Sequence, residues 1–171
     1  MNAGAGQLIT IRRARAEDSE ALTTIAHQAK RYWKYPEPWI DEWKDLLTLT
    51  PSFIRRHSVY LAIEGTVPIG FYTLSGKGAR LALEHLWVVP DQIGRGVGRR
   101  LFEHARMIAL RRKATIIVIE SDPNAAGFYE RMGARQTGQT VSTAADQPRV
   151  LPRFIFKVRS ALAEKTKPTL S

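Results

Sequence analysis

The sequence predicts one α/β sandwich of the α+β type, with a mixed, largely antiparallel central sheet flanked by helices. Two observations predict this fold. Three consecutive strand patterns between residues 58 and 89, joined by short turns at Gly65 and at Gly76 to Gly78, are typical of an antiparallel meander. A helical pattern then leads to a continuous β-branched run at residues 115–119, which is typical of a strand covered on both faces. The sheet is therefore predicted to be mixed.

The first part of the chain predicts a strand, a helix and an aromatic segment. Residues 8–13 alternate apolar and basic side chains, as a half-buried strand does. Capping residues at 16–19 precede an apolar helical pattern. Residues 32–49 are rich in aromatic rings, and we expect Pro36 and Pro38 to divide them into two short helical pieces, with Pro51 as a stop.

The second part predicts a long amphipathic helix at residues 99–113 and a short helix at 124–131. Two further strands are expected near residues 134–141 and 151–158. Residues 8–160 would then form the single domain, between a flexible start at 1–7 and a flexible tail at 161–171.

Composition narrows the classes of function. The 171 residues carry a formal charge of +10, with 26 basic and 16 acidic side chains, which attracts polyanions. The basic residues are dispersed, so nucleic acid is not the expected partner. The absence of cysteine removes thiolate chemistry and suits a cytoplasmic protein. The histidines show no metal-ligand spacing, and no apolar stretch is long enough for a membrane span, so neither a metal nor a membrane is expected.

A glycine-rich loop is the main functional signal. Gly94, Gly96 and Gly98 follow an apolar strand and open a helix, where backbone N–H groups can hold an anion. The spacing is neither that of a P-loop nor the G-x-G-x-x-G of a dinucleotide site. A dinucleotide stays as an alternative, because Glu120 lies about twenty residues onward, where a ribose-binding acid is expected.

Two sequence segments together resemble the GNAT superfamily of acyl-CoA-dependent N-acyltransferases. The region Tyr32 to Thr50, with WKYPEPWIDEW, resembles a bacterial subgroup of that superfamily. The loop IGRGVG, which starts at Ile93, is similar to that family's pyrophosphate loop. The segment DPNAAGFYERMG, which starts at Asp122, is similar to its later half. Ile93 stands where the family prefers Arg or Gln, with Gln92 one place early, and Asp122 stands where Asn is common.

The resemblance implies an acetyl-CoA donor and an N-acetyltransferase reaction. It places the pyrophosphate on the loop and the pantetheine arm along the preceding strand, with contacts from the later half. The implied cofactor-binding residues are Leu86, Trp87, Val88, Ile93, Gly94, Arg95, Gly96, Val97, Gly98, Arg99, Asn124 and Phe128. Asn124 has the alternative role of capping the helix that follows it.

Transfer to an amine needs a base and an acid. An amine must lose a proton before it attacks, and Glu84, next to the implied cofactor strand, is the first candidate base. Its alternative is a solvent-facing strand position or a salt bridge, and Glu120 is the second candidate. Tyr129 matches the family's acid position and would protonate the leaving thiolate, or else it packs as a core tyrosine.

The acceptor is expected to be a primary amine of a small molecule or of a peptide or protein. The rings at Tyr32, Trp33, Tyr35, Trp39 and Trp43 would form its binding wall, by contact with a cation or an apolar body. Their alternative role is ordinary helix packing. A non-catalytic acyl-CoA-binding regulatory module is the alternative to an enzyme, and the oligomeric state is left open, a homodimer included.

Overall fold

A computed structural model describes residues 8–144 and 146–158 and shows a mixed α/β fold built on a seven-stranded sheet. This confirms the predicted fold class. The segments predicted to be flexible, 1–7 and 161–171, lie outside the described residues, as do residues 159 and 160. The extent of the domain therefore stays a prediction.

The order of elements follows the predicted one, except that a short helix which was not predicted begins at Pro51. The strands are β1 (Ile9–Arg13), β2 (Ser58–Glu64), β3 (Val67–Lys77), β4 (Arg80–Val88), β5 (Ile116–Glu120), β6 (Arg135–Ala144) and β7 (Gln147–Lys157). The helices are α1 (Ser19–Tyr32), α2 (Glu37–Glu42), α3 (Pro51–Arg56), α4 (Val97–Arg111) and α5 (Ala126–Arg131). Short 3₁₀ turns precede α1 and α5, and another precedes the glycine loop.

The strands are hydrogen-bonded in the order β1-β2-β3-β4-β5-β7-β6. β4 and β5 pair in parallel, with Arg80 opposite Ile116 and Leu83 opposite Ile119. β1 with β2, β5 with β7, and β6 with β7 are antiparallel. Parallel neighbours need a long crossover, and α4 lies in the segment between β4 and β5. The sheet is thus mixed and largely antiparallel, as the sequence predicts.

The described residues fall into two compact units, and β3, β4 and α4 contribute to both. The first unit takes the chain up to Thr73 together with His85–Phe102. Its buried side chains include those of Leu22 and Ile25 on α1 and Leu61 on β2. The spacing of apolar residues along α1 follows the helical period, which explains why this face is buried.

The second unit takes Leu74–Glu84 and the chain from Glu103 onward. Alternate residues of β5 are buried, and Ile117 and Ile119 are both less than 4% exposed. Val118 between them is only half-buried. One face of β5 is therefore more covered than the other, whereas its unbroken apolar run predicted a strand covered on both faces.

Proline acts differently from the prediction at two positions. Pro51 does not stop a helix but begins α3, with the Thr50 hydroxyl accepting from the Phe53 N–H as the cap. Pro38 lies in the first turn of α2 rather than between two helices. Both positions suit proline, because the first-turn N–H groups of a helix have no intrahelical acceptor.

The β6–β7 connection is also tighter than predicted. β6 continues to Ala144 and β7 begins at Gln147, so Pro148 lies within a strand and opposite Thr143. Among the helices in the described part of the chain, none combines the length and apolarity that crossing a membrane requires.

Candidate acyl-donor and acceptor sites

The glycine loop has the geometry of an anion-binding site. Gly94 and Gly96 both have φ of +82°, a backbone conformation that side chains disfavour, and the space where a Cβ would stand is open at each. α4 begins directly afterwards at Val97. The N–H groups of its first turn have no intrahelical acceptor and carry the positive end of the helix dipole. This arrangement suits a phosphate, as the sequence predicts.

The side chains before the loop are tied to one another. Gln92 is 8% exposed, and its Nε2 donates to Glu64 Oε2 at 3.1 Å. The Arg95 guanidinium donates to Gln92 Oε1 at 2.8 Å and lies 3.4 Å from Glu64 Oε1. Gln92 is therefore a buried side chain that links the loop to Glu64 by hydrogen bonds. Ile93, by contrast, is 41% exposed, and Arg99 is exposed on the first turn of α4.

The strand before the loop is held close to β3. An added Cβ at Gly70 would lie 2.8 Å from the Trp87 carbonyl oxygen and 3.4 Å from Val88 Cα, so only glycine permits this approach. Leu86, Trp87 and Val88 are half-buried and follow the stretch of β4 that pairs with β5, which ends at Leu83. Gly70 is a residue that the sequence analysis did not single out.

The predicted aromatic wall is a packed ring cluster. Tyr35, Trp39 and Trp43 have their ring centroids 5.2 to 5.9 Å apart. Tyr32 and Trp33 form a separate edge-to-face pair at 4.9 Å, and Tyr32 is 45% exposed. Ordinary helix packing therefore accounts for part of the cluster, as the alternative interpretation expected.

A lysine that the sequence analysis did not single out lies against this cluster. Lys30, on the last turn of α1, is 5% exposed, and its Nζ lies 4.2 Å from the Trp43 ring centroid and 4.5 Å from that of Tyr35. The signal was present in the sequence: Lys30 comes eight residues after Leu22 and four after Ala26, on the apolar face of α1.

Both candidate bases line one groove in the second unit. The groove has a volume of about 540 Å³ and crosses β4, β5, β6 and β7. Glu84 and Glu120 each follow the last parallel pair, Leu83 with Ile119, so they are neighbours on adjacent strands. Ser75 donates its hydroxyl to Glu84 at 2.6 Å. Other lining residues include Arg80, Thr137, Thr140 and Arg153.

Tyr129 is enclosed rather than exposed. It is 6% exposed, with its ring 5.2 Å from that of Phe128 and 6.0 Å from that of Phe154. Burial, and secondarily the negative charge of Asp122, raise the pKa of the Tyr129 hydroxyl well above its ordinary value. The phenol is therefore protonated at neutral pH, which is the form a proton donor needs.

Asp122 organises the turn that leads to Tyr129. Its carboxylate accepts from the backbone N–H and from Nδ2 of Asn124, both at 3.0 Å, and from the Arg149 guanidinium at 2.7 Å. Asp122 rather than Asn124 is the cap of this turn. Arg149, on β7, is a partner that sequence spacing could not indicate.

No cluster of three or more His, Asp or Glu side chains able to hold a metal ion occurs within residues 8–144 and 146–158. His85 instead accepts a hydrogen bond from the Trp87 indole, at 3.1 Å from its Nδ1. Burial lowers the pKa of His27 and of His104.

A seven-stranded mixed sheet with a glycine loop at a strand-to-helix junction is the arrangement that the resemblance implies. The model of the acetyltransferase (GNAT) family matches residues 21–134. The chain belongs to that family, which confirms the resemblance.

Three known proteins illustrate the relationship. The chain is 32% identical over 143 residues to the peptidyl-lysine N-acetyltransferase YjaB of Escherichia coli, covering 78% of this chain and 86% of that protein. A GCN5-related N-acetyltransferase structure from Rhodopseudomonas palustris aligns with a TM-score of 0.75 at 20% identity, over 91% of this chain and 99% of the other. The PaiA N-acetyltransferase of Thermoplasma acidophilum, in complex with coenzyme A, aligns at 0.70 and 20% identity, over 88% and 99%.

Proposed function

We propose that this protein transfers an acetyl group from acetyl-CoA to a primary amine, with a lysine side chain of a peptide or protein as the first candidate acceptor. Membership of the acetyltransferase (GNAT) family supports the reaction class. The lysine acceptor is supported by the name of the Escherichia coli relative, and the donor by coenzyme A in the Thermoplasma acidophilum structure.

The acyl donor is proposed to contact two parts of the first unit. Its pyrophosphate accepts from the N–H groups of the glycine loop and of the first turn of α4, with charge added by Arg99. Its pantetheine arm hydrogen-bonds to the backbone of Leu86, Trp87 and Val88 as an extra strand would. Because Gln92 and Arg95 are bonded to each other, the backbone carries most of the binding, and Ile93 is tolerated.

The observation that carries the acceptor side is the pair of neighbouring carboxylates, Glu84 and Glu120, in one groove. Two adjacent carboxylates attract a cationic lysine side chain, whose reference pKa is about 10.4. We propose that Glu84 takes the proton from the ammonium while Glu120 orients it. Of the aromatic residues, Tyr32 and Trp33 are proposed to contact the peptide around the acceptor, since Tyr35, Trp39 and Trp43 pack together.

The transfer step forms an amide and releases coenzyme A. Glu84 passes the ammonium proton on to solvent. The neutral amine nitrogen then attacks the thioester carbonyl carbon and forms the C–N bond of a tetrahedral intermediate. The nitrogen loses one of its two protons to solvent, and as the C=O bond re-forms the C–S bond breaks with its electron pair on sulfur. Tyr129 donates its hydroxyl proton to the thiolate, and solvent returns a proton to the phenolate. Phe128 and Asn124 are proposed to border the donor beside Tyr129.

The experiment has a binding step and a turnover step. Calorimetry with acetyl-CoA, beside NADH as a control, tests the donor. A panel of lysine peptides and small amines then tests turnover in the wild type and in Glu84→Gln, Glu120→Gln and Tyr129→Phe. We expect Glu84→Gln and Tyr129→Phe to lower kcat by about 10²- to 10⁴-fold, the usual contribution of general acid or base catalysis.

The variants also show which of the two carboxylates, Glu84 or Glu120, acts as the base. Thr140→Val, in the same groove, serves as a matched control. A larger loss in Glu120→Gln than in Glu84→Gln would exchange their roles. Acetyl-CoA binding without turnover of any amine would favour the regulatory module over the enzyme. Absence of acetyl-CoA binding would contradict the proposal.

A further inference from the structure

Lys30 presents an unusual case of a buried cation. It is 5% exposed, and its ammonium lies over aromatic rings. Removing an ammonium from water is costly, and a residue such as Met would fill the same space without that cost. The contacts between its ammonium and the rings are part of what compensates this cost.

The ammonium lies over three rings that come from different segments. Its Nζ is 4.2 Å from the Trp43 centroid and 4.5 Å from that of Tyr35, both in the segment after α1. The third ring, 5.7 Å away, is Trp87 on β4. Contacts of this length are within the range in which a cation is attracted to an aromatic face, and the attraction is stronger in a desolvated site. Lys30 thus links the ring cluster to β4.

Trp87 is held from two further directions. Its indole N–H donates to Nδ1 of His85, at 3.1 Å. His85 in turn lies near the rings of Phe53 and Phe71, with ring centroids 6.1 and 6.2 Å away. The backbone carbonyl oxygen of Trp87 lies 2.8 Å from where a Cβ of residue 70 would stand. The side chain and the main chain of Trp87 are therefore both restrained, and Lys30 supplies the charged restraint.

We propose that Lys30 is a positioning residue for the acyl donor, acting through Trp87. This inference rests on the proposed function, in which the backbone of residues 86–88 binds the pantetheine arm. Lys30 does not touch the donor; its ammonium keeps the Trp87 indole in one orientation and so keeps the strand edge in its binding shape. Because the Lys30 ammonium already lies against the rings of Tyr35 and Trp43, these rings are not proposed to bind a cationic acceptor, which binds elsewhere.

The test replaces Lys30 by Met, which keeps the length and loses the charge, with Lys34→Met as the matched control on an exposed lysine four residues onward. Coenzyme A is the probe, because it binds without being turned over. We expect Lys30→Met to weaken coenzyme A binding about tenfold, in line with the strength of a desolvated cation–π contact. With an acceptor amine, KM for acetyl-CoA should rise while kcat changes little. Lys34→Met should behave as the wild type.

A rescue experiment separates positioning from mere stabilisation. In Lys30→Ala, butylammonium can enter the space left by the side chain, and we expect it to restore coenzyme A affinity, whereas butanol should not. If Lys30→Met melts at a lower temperature but binds coenzyme A as the wild type does, the residue is structural only and the inference is wrong.

A measurement on the wild type needs no variant and covers the case in which the Lys30 variants do not fold. With 5-fluorotryptophan incorporated, coenzyme A should shift the ¹⁹F resonance of Trp87, assigned through Trp87→Phe. An unchanged Trp87 resonance under saturating coenzyme A would overturn the inference while leaving the proposed function in place. Failure of the wild type to bind coenzyme A at all would overturn both.

Discussion

Asp18 shows how one buried carboxylate ties β1 to the 3₁₀ turn that leads into the first helix. Its two oxygens accept from both terminal nitrogens of Arg12 at 2.8 Å, and one of them also accepts from the Arg15 N–H at 2.7 Å. The hydrogen bonds from Arg12 are the largest cause that lowers the pKa of Asp18, and they outweigh the opposing effect of burial. The charged form is therefore the stable one in the fold.

Replacing Asp18 by Asn should lower the free energy of unfolding by about 2 kcal/mol, the range found for hydrogen bonds to charged groups. A carboxyl whose pKa is lowered in the fold contributes stability that is present above its unfolded value, near pH 4, and is lost as the pH falls through the folded value. Wild-type stability should thus fall more steeply than that of the variant below about pH 4.

Urea unfolding at pH 7 and at pH 3 measures this difference. Glu17→Gln is the control, because its contact with Arg15 is 3.9 Å long between two largely exposed side chains. Equal losses for the two variants, or a stability gap for Asp18→Asn that does not narrow at pH 3, would contradict the interpretation.

At the scale of residues, the sequence identifies chemistry better than it identifies partners. Glu84, Glu120 and Tyr129 could be proposed as candidates from residue type and from position next to a strand or a motif. Lys30 and Arg149 were not, because their partners lie far along the chain: Trp87 follows Lys30 by 57 positions, and Asp122 precedes Arg149 by 27. Only the folded chain brings such pairs together.

Among the elements, β4 is the one on which the proposed site depends most. Its apolar pattern and the glycines after it predicted a strand that leads through a glycine loop into a helix, and β4 and α4 confirm that strand and helix. What the pattern could not predict is the close approach of β3, because a single Gly70 in an apolar strand gives no indication of which backbone it meets.

Gly70→Ala tests that approach. The added Cβ meets a backbone oxygen at 2.8 Å and the Leu101 Cδ1 at 3.0 Å, so the backbone of one strand must shift. We expect a loss of about 1–3 kcal/mol of stability, the usual cost of inserting a methyl group into a packed interior. Coenzyme A affinity should also fall, since the displaced carbonyl belongs to Trp87.

Gly127→Ala is the matched control for this variant. Gly127 lies in α5, and its added Cβ meets only the end of the flexible Arg131 side chain, at 3.3 Å. Alanine in a helix position of this kind is expected to stabilise by about 0.4–1 kcal/mol, through the unfolded chain. Thermal unfolding and coenzyme A titration of the two variants give the comparison. A Gly70→Ala protein as stable as Gly127→Ala would show that β3 and β4 are not in tight contact.

For the whole molecule, element order was predictable apart from α3, whereas strand order was only partly so. The meander from β2 to β4 follows the chain and was predicted from its short turns. The placement of β7 between β5 and β6 was not, because it depends on pairings such as Phe154 opposite Ile119 that join residues distant along the chain. Long-range pairing of this kind has no local sequence signal.

The charge of the whole molecule is the last feature with a testable consequence. A formal charge of +10 creates a field that attracts an anionic cofactor before any contact forms. We therefore expect the association rate of coenzyme A to fall about tenfold between low and high salt, as electrostatic steering does, while the dissociation rate changes less. Stopped-flow measurements give both rates. Dephospho-coenzyme A, which carries less charge, should show a shallower salt dependence.

A duplex oligonucleotide should compete only at low salt, since dispersed basic residues provide general attraction without a specific binding surface. Competition that persists at physiological salt would restore nucleic acid as a partner, and equal salt slopes for the two cofactors would show that the net charge does not steer binding.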